Sequence, residues 1–228
     1  MRLFKSLIYL LLDCLKTFKE RGGRAGLAEL GQTVTRIFYT RLESVVLAKT
    51  LLPGEPPLPP LPDLIVRQLK NKEELALLDS WISPKEAIRF RQIFAAGDAA
   101  FVALHKGQLA GWGWIAYKID PQTNRVHVPL APGEATLYEL FVVPAYRGTG
   151  VAQRLVASRL ELLREQGYKR VVINCTKGNI PAIKLAEKAG YVCVGESCHT
   201  RILLWDRLVY RPYPLVEKSR CISTYTSS

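Results

Sequence analysis

Apolar residues recur along the chain with two different periods. Leu3, Leu7, Leu10, Leu11, Cys14, Leu15 and Phe18 fall at helical spacing and predict an amphipathic helix that Gly22 and Gly23 close. A second helix is expected around Leu27–Tyr39 and a short strand over Ser44–Ala48. Leu51–Asp63 then holds six prolines and reads as a stiff, extended connector.

Beyond the connector, strand and helix patterns alternate. Leu64–Gln68 reads as a strand. Asn71 with Glu74 forms a capping box for a helix through Leu78, and Ser83-Pro84-Lys85-Glu86 opens another that ends near Ala96. Ala100–His105 and Leu109–Tyr117, joined at Lys106-Gly107, predict a hairpin. Ala135–Val143 is a strand, Val151–Gln166 a helix closed by Gly167, and Arg170–Cys175 a strand. A helix over Asn179–Ala189, closed by Gly190, precedes strands at Tyr191–Gly195 and Ile202–Val209. The order βααβββαβαββ implies an α/β chain with a mixed sheet and helices on its faces. Trp112 and Trp114 share one strand face and are read as core residues.

Charge changes this picture. The 228 residues carry 32 Lys and Arg against 20 Asp and Glu, a net of +12, which favours anionic partners. The first fifty residues hold nine of those cations and four anions. Asp13 interrupts their apolar run, which is too short for a membrane span. The cysteines Cys14, Cys175, Cys193, Cys198 and Cys221 form no C-x-x-C pair and point to a reducing, cytoplasmic setting. Cys193, Cys198 and His199 lack a second ligand cluster, so no metal is expected. His105, His127 and His199 show no triad spacing and are read as ordinary polar residues.

The most informative stretch is VVPAYRGTGVAQRL, Val142–Leu155, where a strand turns through two glycines into a helix. Backbone N–H groups at such a helix start, together with the helix dipole, form an anion site. Gly148 and Gly150 allow close approach to the main chain, and Arg147 adds a cationic fork. No Lys-Ser or Lys-Thr follows at Walker spacing, and Gln153 stands where the dinucleotide fingerprint needs glycine.

LYELFVVPAYRGTGVAQRLVASRL followed by VINCTKGNIPAIKLAEKAGYVCVGE resembles the GNAT superfamily of N-acetyltransferases, from about Leu64 to Trp205. The resemblance implies the GNAT acyl-CoA N-acyltransferase fold with an N-terminal helical extension, and acetyl-CoA as co-substrate. It implies that Arg147, Gly148, Thr149, Gly150, Val151 and Ala152 hold the coenzyme A pyrophosphate, and that Phe141 and Val142 pair with the pantetheine arm. Asn179 matches the asparagine that contacts the cofactor near the thioester, and it is also a good helix N-cap.

The implied reaction is direct attack of an amine on the acetyl thioester. Glu139, on the strand before the motif, is the candidate general base, its carboxyl raised if it faces a cleft. Asn174 stands where some relatives carry a glutamate base, and Ala186 stands where the family's thiolate-protonating tyrosine is usual. Tyr146 and Tyr191 are read as packing residues. Ala186 favours an alternative, a non-catalytic acyl-CoA-binding or regulatory module. A membrane-peripheral acyltransferase using longer acyl donors is a further one. The expected acceptor is a small-molecule or protein amine, and no nucleic acid is expected.

The expected organisation is a basic amphipathic extension over 1–50, a Pro-rich linker over 51–63, the acetyltransferase domain over 64–210 and a polar tail over 211–228. The extension is expected to pack on the domain, with a peripheral membrane contact or a subunit contact as its alternatives.

Overall fold

The structure, a computed structural model, describes residues 39–119, 130–202 and 205–213. The first expected helix and all but the last residue of the second, Leu27–Tyr39, lie outside these, and Tyr39 opens a strand. The chain divides into a larger unit, residues 43–197 with 210–228, and a smaller one, residues 1–42 with 198–209.

Eight strands contribute to the larger unit: β1 (Tyr39–Thr50), β2 (Leu64–Gln68), β3 (Ala99–His105), β4 (Gln108–Ala116), β5 (Glu134–Val142), β6 (Arg170–Thr176), β7 (Val192–Ile202) and β8 (Trp205–Pro212). Their order across the sheet is β2-β3-β4-β5-β6-β1-β7-β8. β1, β7 and β8 run on into the smaller unit. The helices are α1 (Pro84–Ala95), α2 (Val151–Glu165) and α3 (Ile180–Lys188). The mixed α/β architecture read from the sequence is therefore observed.

β2 to β5 form an antiparallel meander. β5 and β6 are parallel, joined over α2, and their pairing is confined to Glu134 with Arg170 and Ala135 with Val171. β1 lies antiparallel to β6 from Ser44 to Thr50, so residues ahead of the proline-rich segment supply an inner strand.

Each face of the sheet is covered. Leu155, Leu163 and Ile183 from α2 and α3 pack with Val45, Leu47 and Val171 on one face. Phe90 and Ile93 from α1 pack with Val102, Trp112 and Trp114 on the other. Both tryptophans are core residues, as their alternation implied.

Local signals largely hold. Ser83 Oγ accepts from the Glu86 N–H at 3.3 Å and Glu86 Oε2 accepts from the Ser83 N–H at 3.2 Å, with Pro84 opening α1. The preceding segment differs: Glu73–Leu78 is a 3-10 helix. Asn71 Oδ1 accepts from the Glu74 N–H, while the Glu74 carboxylate bonds chiefly to the Lys70 N–H at 2.6 Å, one residue before Asn71, with the Asn71 N–H a weaker partner. The expected strand at Ile202–Val209 is not one element, because β7 continues to Ile202 and β8 starts at Trp205. Cys193 is disulfide-bonded, which corrects the expectation of reduced cysteines there, while Cys175 and Cys198 are free.

Candidate active site

The turn between β5 and α2 is built by local bonds. The Val143 N–H donates to the Ala110 carbonyl at 2.9 Å and anchors the end of β5 on β4. Pro144–Tyr146 forms one 3-10 turn. Thr149 Oγ1 donates to the Tyr146 carbonyl at 2.7 Å, and Arg147 Nε to the Val142 carbonyl at 3.3 Å.

Gly148 and Gly150 have φ of +79° and +91°, conformations that disfavour a side chain. Gly150 is the N-cap of α2, and no side chain caps that helix. The N–H groups of Val151 and Ala152 thus open the helix without intrahelical acceptors. Space beyond the Gly148 Cα is open, whereas a Cβ on Gly150 would sit 3.1 Å from Leu61 Cδ1. The geometry fits an anion of pyrophosphate size approaching the main chain at Gly148–Ala152.

Leu61 belongs to the proline-rich segment, which runs along α2 as a strap. The Leu58 carbonyl accepts from Arg154 Nη1 at 2.7 Å. Further along, Glu55 binds Lys49 Nζ and Arg164 Nη2, each at 2.6 Å. The hydrogen bond from Lys49 first, and the charges of Lys49 and Arg164 after it, hold the Glu55 carboxyl below its ordinary value against the opposing effect of burial. Strap, α2 and the end of α3 enclose a cavity of about 330 Å³ lined by Pro56, Leu58, Ala157, Glu161 and Lys188.

β5 carries a second irregularity. Trp112 faces Phe141 and Trp114 faces Tyr138, so Gly113 alone opposes Glu139 and Leu140. This is a β-bulge, and Glu139 in it has φ +51°. A non-glycine residue there is strained, and such strain concentrates at functional sites. The bulge puts Glu139 toward α1, where its Oε1 accepts from Arg89 Nη2 at 2.6 Å. Arg89 is buried, with its guanidinium carbon 4.9 Å from the Phe90 ring centroid, and its Nε and Nη1 bond no group among the described residues. The Glu139 side chain is about one-third exposed (32%).

Beside Glu139, the Tyr138 hydroxyl donates to Asp98 Oδ2, and burial with the Asp98 charge pushes the phenol far above its ordinary value. Phe141 stacks on Trp112 with centroids 4.3 Å apart, and Val142 packs on the opposite face.

Because β5 and β6 stop pairing after Ala135 and Val171, they part beside this bulge and the turn. Asn179 starts α3, its Oδ1 accepting from the Ala182 N–H at 3.3 Å, as a cap should. Cys175 faces the α2 and α3 side from β6, and burial pushes its thiol up to about 11. Ala186 is buried in the core, and no acid stands at that position. Tyr191 is fully enclosed, and burial raises its hydroxyl. Tyr146 packs on His105 at 5.3 Å between centroids. Both tyrosines are packing residues, as read.

The sequence did not reveal Arg89, the bulge or the strap. Gly113 was the available sign, since an isolated glycine inside a strand marks a bulge or a close backbone approach. Among the described residues no group of His, Cys, Asp and Glu could hold a metal ion, and no helix is long and apolar enough to cross a membrane.

The description of the acetyltransferase (GNAT) family matches residues 66–191. An uncharacterized N-acetyltransferase of Escherichia coli is 31% identical over 118 residues, 47% of this chain and 64% of that protein. A mycothiol acetyltransferase of Brachybacterium faecium is 27% identical over 199 residues, 79% of this chain and 56% of that protein. The chain thus spans less than two-thirds of the length of these relatives. In fold it is similar to a GCN5-related N-acetyltransferase of Sphaerobacter thermophilus, with a TM-score of 0.50 at 15% identity, covering 80% of this chain and 57% of that one. A Drosophila protein gives a TM-score of 0.54 at 16% identity, covering 81% and 57%.

Proposed function

The chain belongs to the acetyltransferase (GNAT) family, and we propose that it transfers an acetyl group from acetyl-CoA to an amine acceptor by direct attack. The observation that carries this reading is the parting of β5 and β6 beside an uncapped helix start. That gap offers unladdered strand edges to an amide-bearing arm, with an anion cradle at its mouth.

In this reading the N–H groups of Gly148–Ala152 and the Arg147 guanidinium hold the pyrophosphate. The backbone at Phe141 and Val142 pairs with the pantetheine arm, and Asn179 contacts it nearer the thioester. Glu139 takes a proton from the attacking amine, directly or through one water. The new C–N bond forms at the thioester carbon, the C–S bond breaks, and the electron pair leaves on sulfur. Ala186 offers no proton, so the thiolate is protonated from solvent.

The acceptor class is a small-molecule or protein amine. A second reading, a non-catalytic acyl-CoA-binding module, draws on the apolar Ala186 site and on the Arg89 pairing of Glu139.

The test is thermal unfolding with acetyl-CoA, coenzyme A and ATP, followed by mass analysis of an amine panel incubated with acetyl-CoA. Stabilisation by the two coenzyme A species and a mass gain of one acetyl group on an amine support transfer. Stabilisation without any acylated amine supports the module. No stabilisation by either species refutes both.

A further inference from the structure

α2 carries an arginine where an amphipathic helix would place a leucine or methionine. Arg159 is 1% exposed and lies among Leu155, Leu160 and Leu163 on the core side of the helix. Its Nε donates to the Leu155 carbonyl at 2.9 Å and its Nη1 to the Trp114 carbonyl at 3.1 Å. No carboxylate pairs with it among the described residues. Burial lowers the guanidinium to about 10, so it stays a cation at neutral pH. A buried cation without a counter-charge is costly, and an apolar side chain of equal length would pack there at lower cost.

The position of the guanidinium gives a reason for keeping it. A Cβ on Gly113 would lie 2.6 Å from Arg159 Nη1 and 2.7 Å from its Cζ, so the guanidinium occupies the place of a side chain on that strand. Gly113 is the residue that faces the Glu139–Leu140 bulge, and the Trp114 carbonyl is the next main-chain acceptor along β4. Arg89 holds the bulge through Glu139 from the α1 face. Arg159 meets the partner strand from the α2 face. Arg89 thus holds the bulge itself, and Arg159 holds the strand position that faces it.

We propose that Arg159 is a positioning residue for the acyl end of the site. Its guanidinium, seated on Gly113 and bonded to the Trp114 carbonyl, fixes the bulge and the main-chain groups that the bulge frees toward the gap between β5 and β6. This rests on the reading that acetyl-CoA binds in that gap. Pre-aimed donors at a carbonyl that gains negative charge are an effective catalytic device, and they act only while the backbone carrying them is held still.

Two measurements on the full chain test the proposal, with Arg159→Met and Arg159→Lys compared with wild type. The first is amide hydrogen exchange without ligand. Residues 137–142 should exchange at least about 10-fold faster in Arg159→Met than in wild type, with β3 unchanged, as expected for a local opening. Equal protection of that segment overturns the positioning role. The second is the carbonyl stretch of bound acetyl-CoA labelled with ¹³C at the carbonyl. The band should lie at lower frequency in wild type than in Arg159→Met, with Arg159→Lys between them. Bound acetyl-CoA with one frequency in all three proteins overturns the effect on the thioester. If wild type binds no acetyl-CoA, the functional reading fails, and the exchange measurement still decides whether Arg159 holds the bulge. If Arg159→Met does not fold, Arg159→Lys carries both measurements, because lysine keeps the charge and cannot span the Leu155 and Trp114 carbonyls together.

Discussion

Arg89 Nη2 and Glu139 Oε1 lie 2.6 Å apart, joining a buried guanidinium of α1 to the left-handed residue of the β5 bulge. The pair sets what Glu139 can do. Its carboxylate has a fixed direction, with one oxygen on arginine and the other unbonded among the described residues. Glu139→Gln is expected to lower acetyl transfer by at least about 100-fold while leaving acetyl-CoA binding intact. Single-turnover rates together with the binding isotherm check this, and an unchanged pH–rate profile would remove Glu139 from the role of base.

Arg89→Met should uncouple the pair in a different way. Removing one partner of a largely buried ion pair is costly, and the partial exposure of Glu139 reduces that cost to about 1–3 kcal/mol. The double variant Arg89→Met/Glu139→Gln should recover part of the lost stability, since it buries neither charge alone. Chemical denaturation of the four proteins gives the coupling directly.

At the cradle, Thr149→Glu puts a carboxylate beside the helix start without altering either glycine. Stabilisation by acetyl-CoA should vanish while the unliganded melting temperature moves by no more than a few degrees. A glycine substitution is a poorer probe. Gly150 has φ +91° and its Cβ would press on Leu61, so Gly150→Glu would disturb the strap as well as the ligand.

Glu55 gives a pH signature. Lys49 and Arg164 depress its carboxyl in the folded chain, below the value of 4.5 that it has unperturbed. The stability it contributes is therefore fully present above 4.5 and is lost as pH falls through the lower folded value. Urea titrations between neutral pH and pH 3 should show a steeper loss for wild type than for Glu55→Gln, by well under 1 kcal/mol because the site is exposed.

Cys175 should be alkylated slowly at neutral pH. Its thiol is pushed up to about 11 by burial, so the thiolate is scarce. Peptide mapping after iodoacetamide treatment should show Cys175 labelling rise steeply with pH, and acetyl-CoA bound in the adjoining gap should slow it further. Rapid labelling at neutral pH would contradict this half-buried placement.

Local chemistry was legible in the sequence, and long-range contacts were not. Gly148, Gly150 and Asn179 announce themselves because a left-handed turn and a helix cap depend on residues within a few positions. Ser83 and Glu86 closed their capping box for the same reason, whereas Glu74 spends its main bond one residue further back, on Lys70. The bulge escaped because a glutamate at positive φ carries no propensity signal. The residue it faces, Gly113, lies across the sheet and more than twenty positions away in the chain. The strap read as a spacer, since proline content predicts stiffness and says nothing about the helix it lies against.

Two parallel rungs, Glu134 with Arg170 and Ala135 with Val171, carry the ladder between β5 and β6, and the Arg170–Glu134 ion pair at 2.6 Å closes that end. The sheet therefore behaves as two leaves bound along a short spine. A pantetheine arm bound as proposed would be a wedge of fixed thickness, so the leaf spacing is the same for every acyl group it carries. The affinity for successive acyl-CoA chain lengths would then serve as a ruler for the room the slot leaves beyond the thioester.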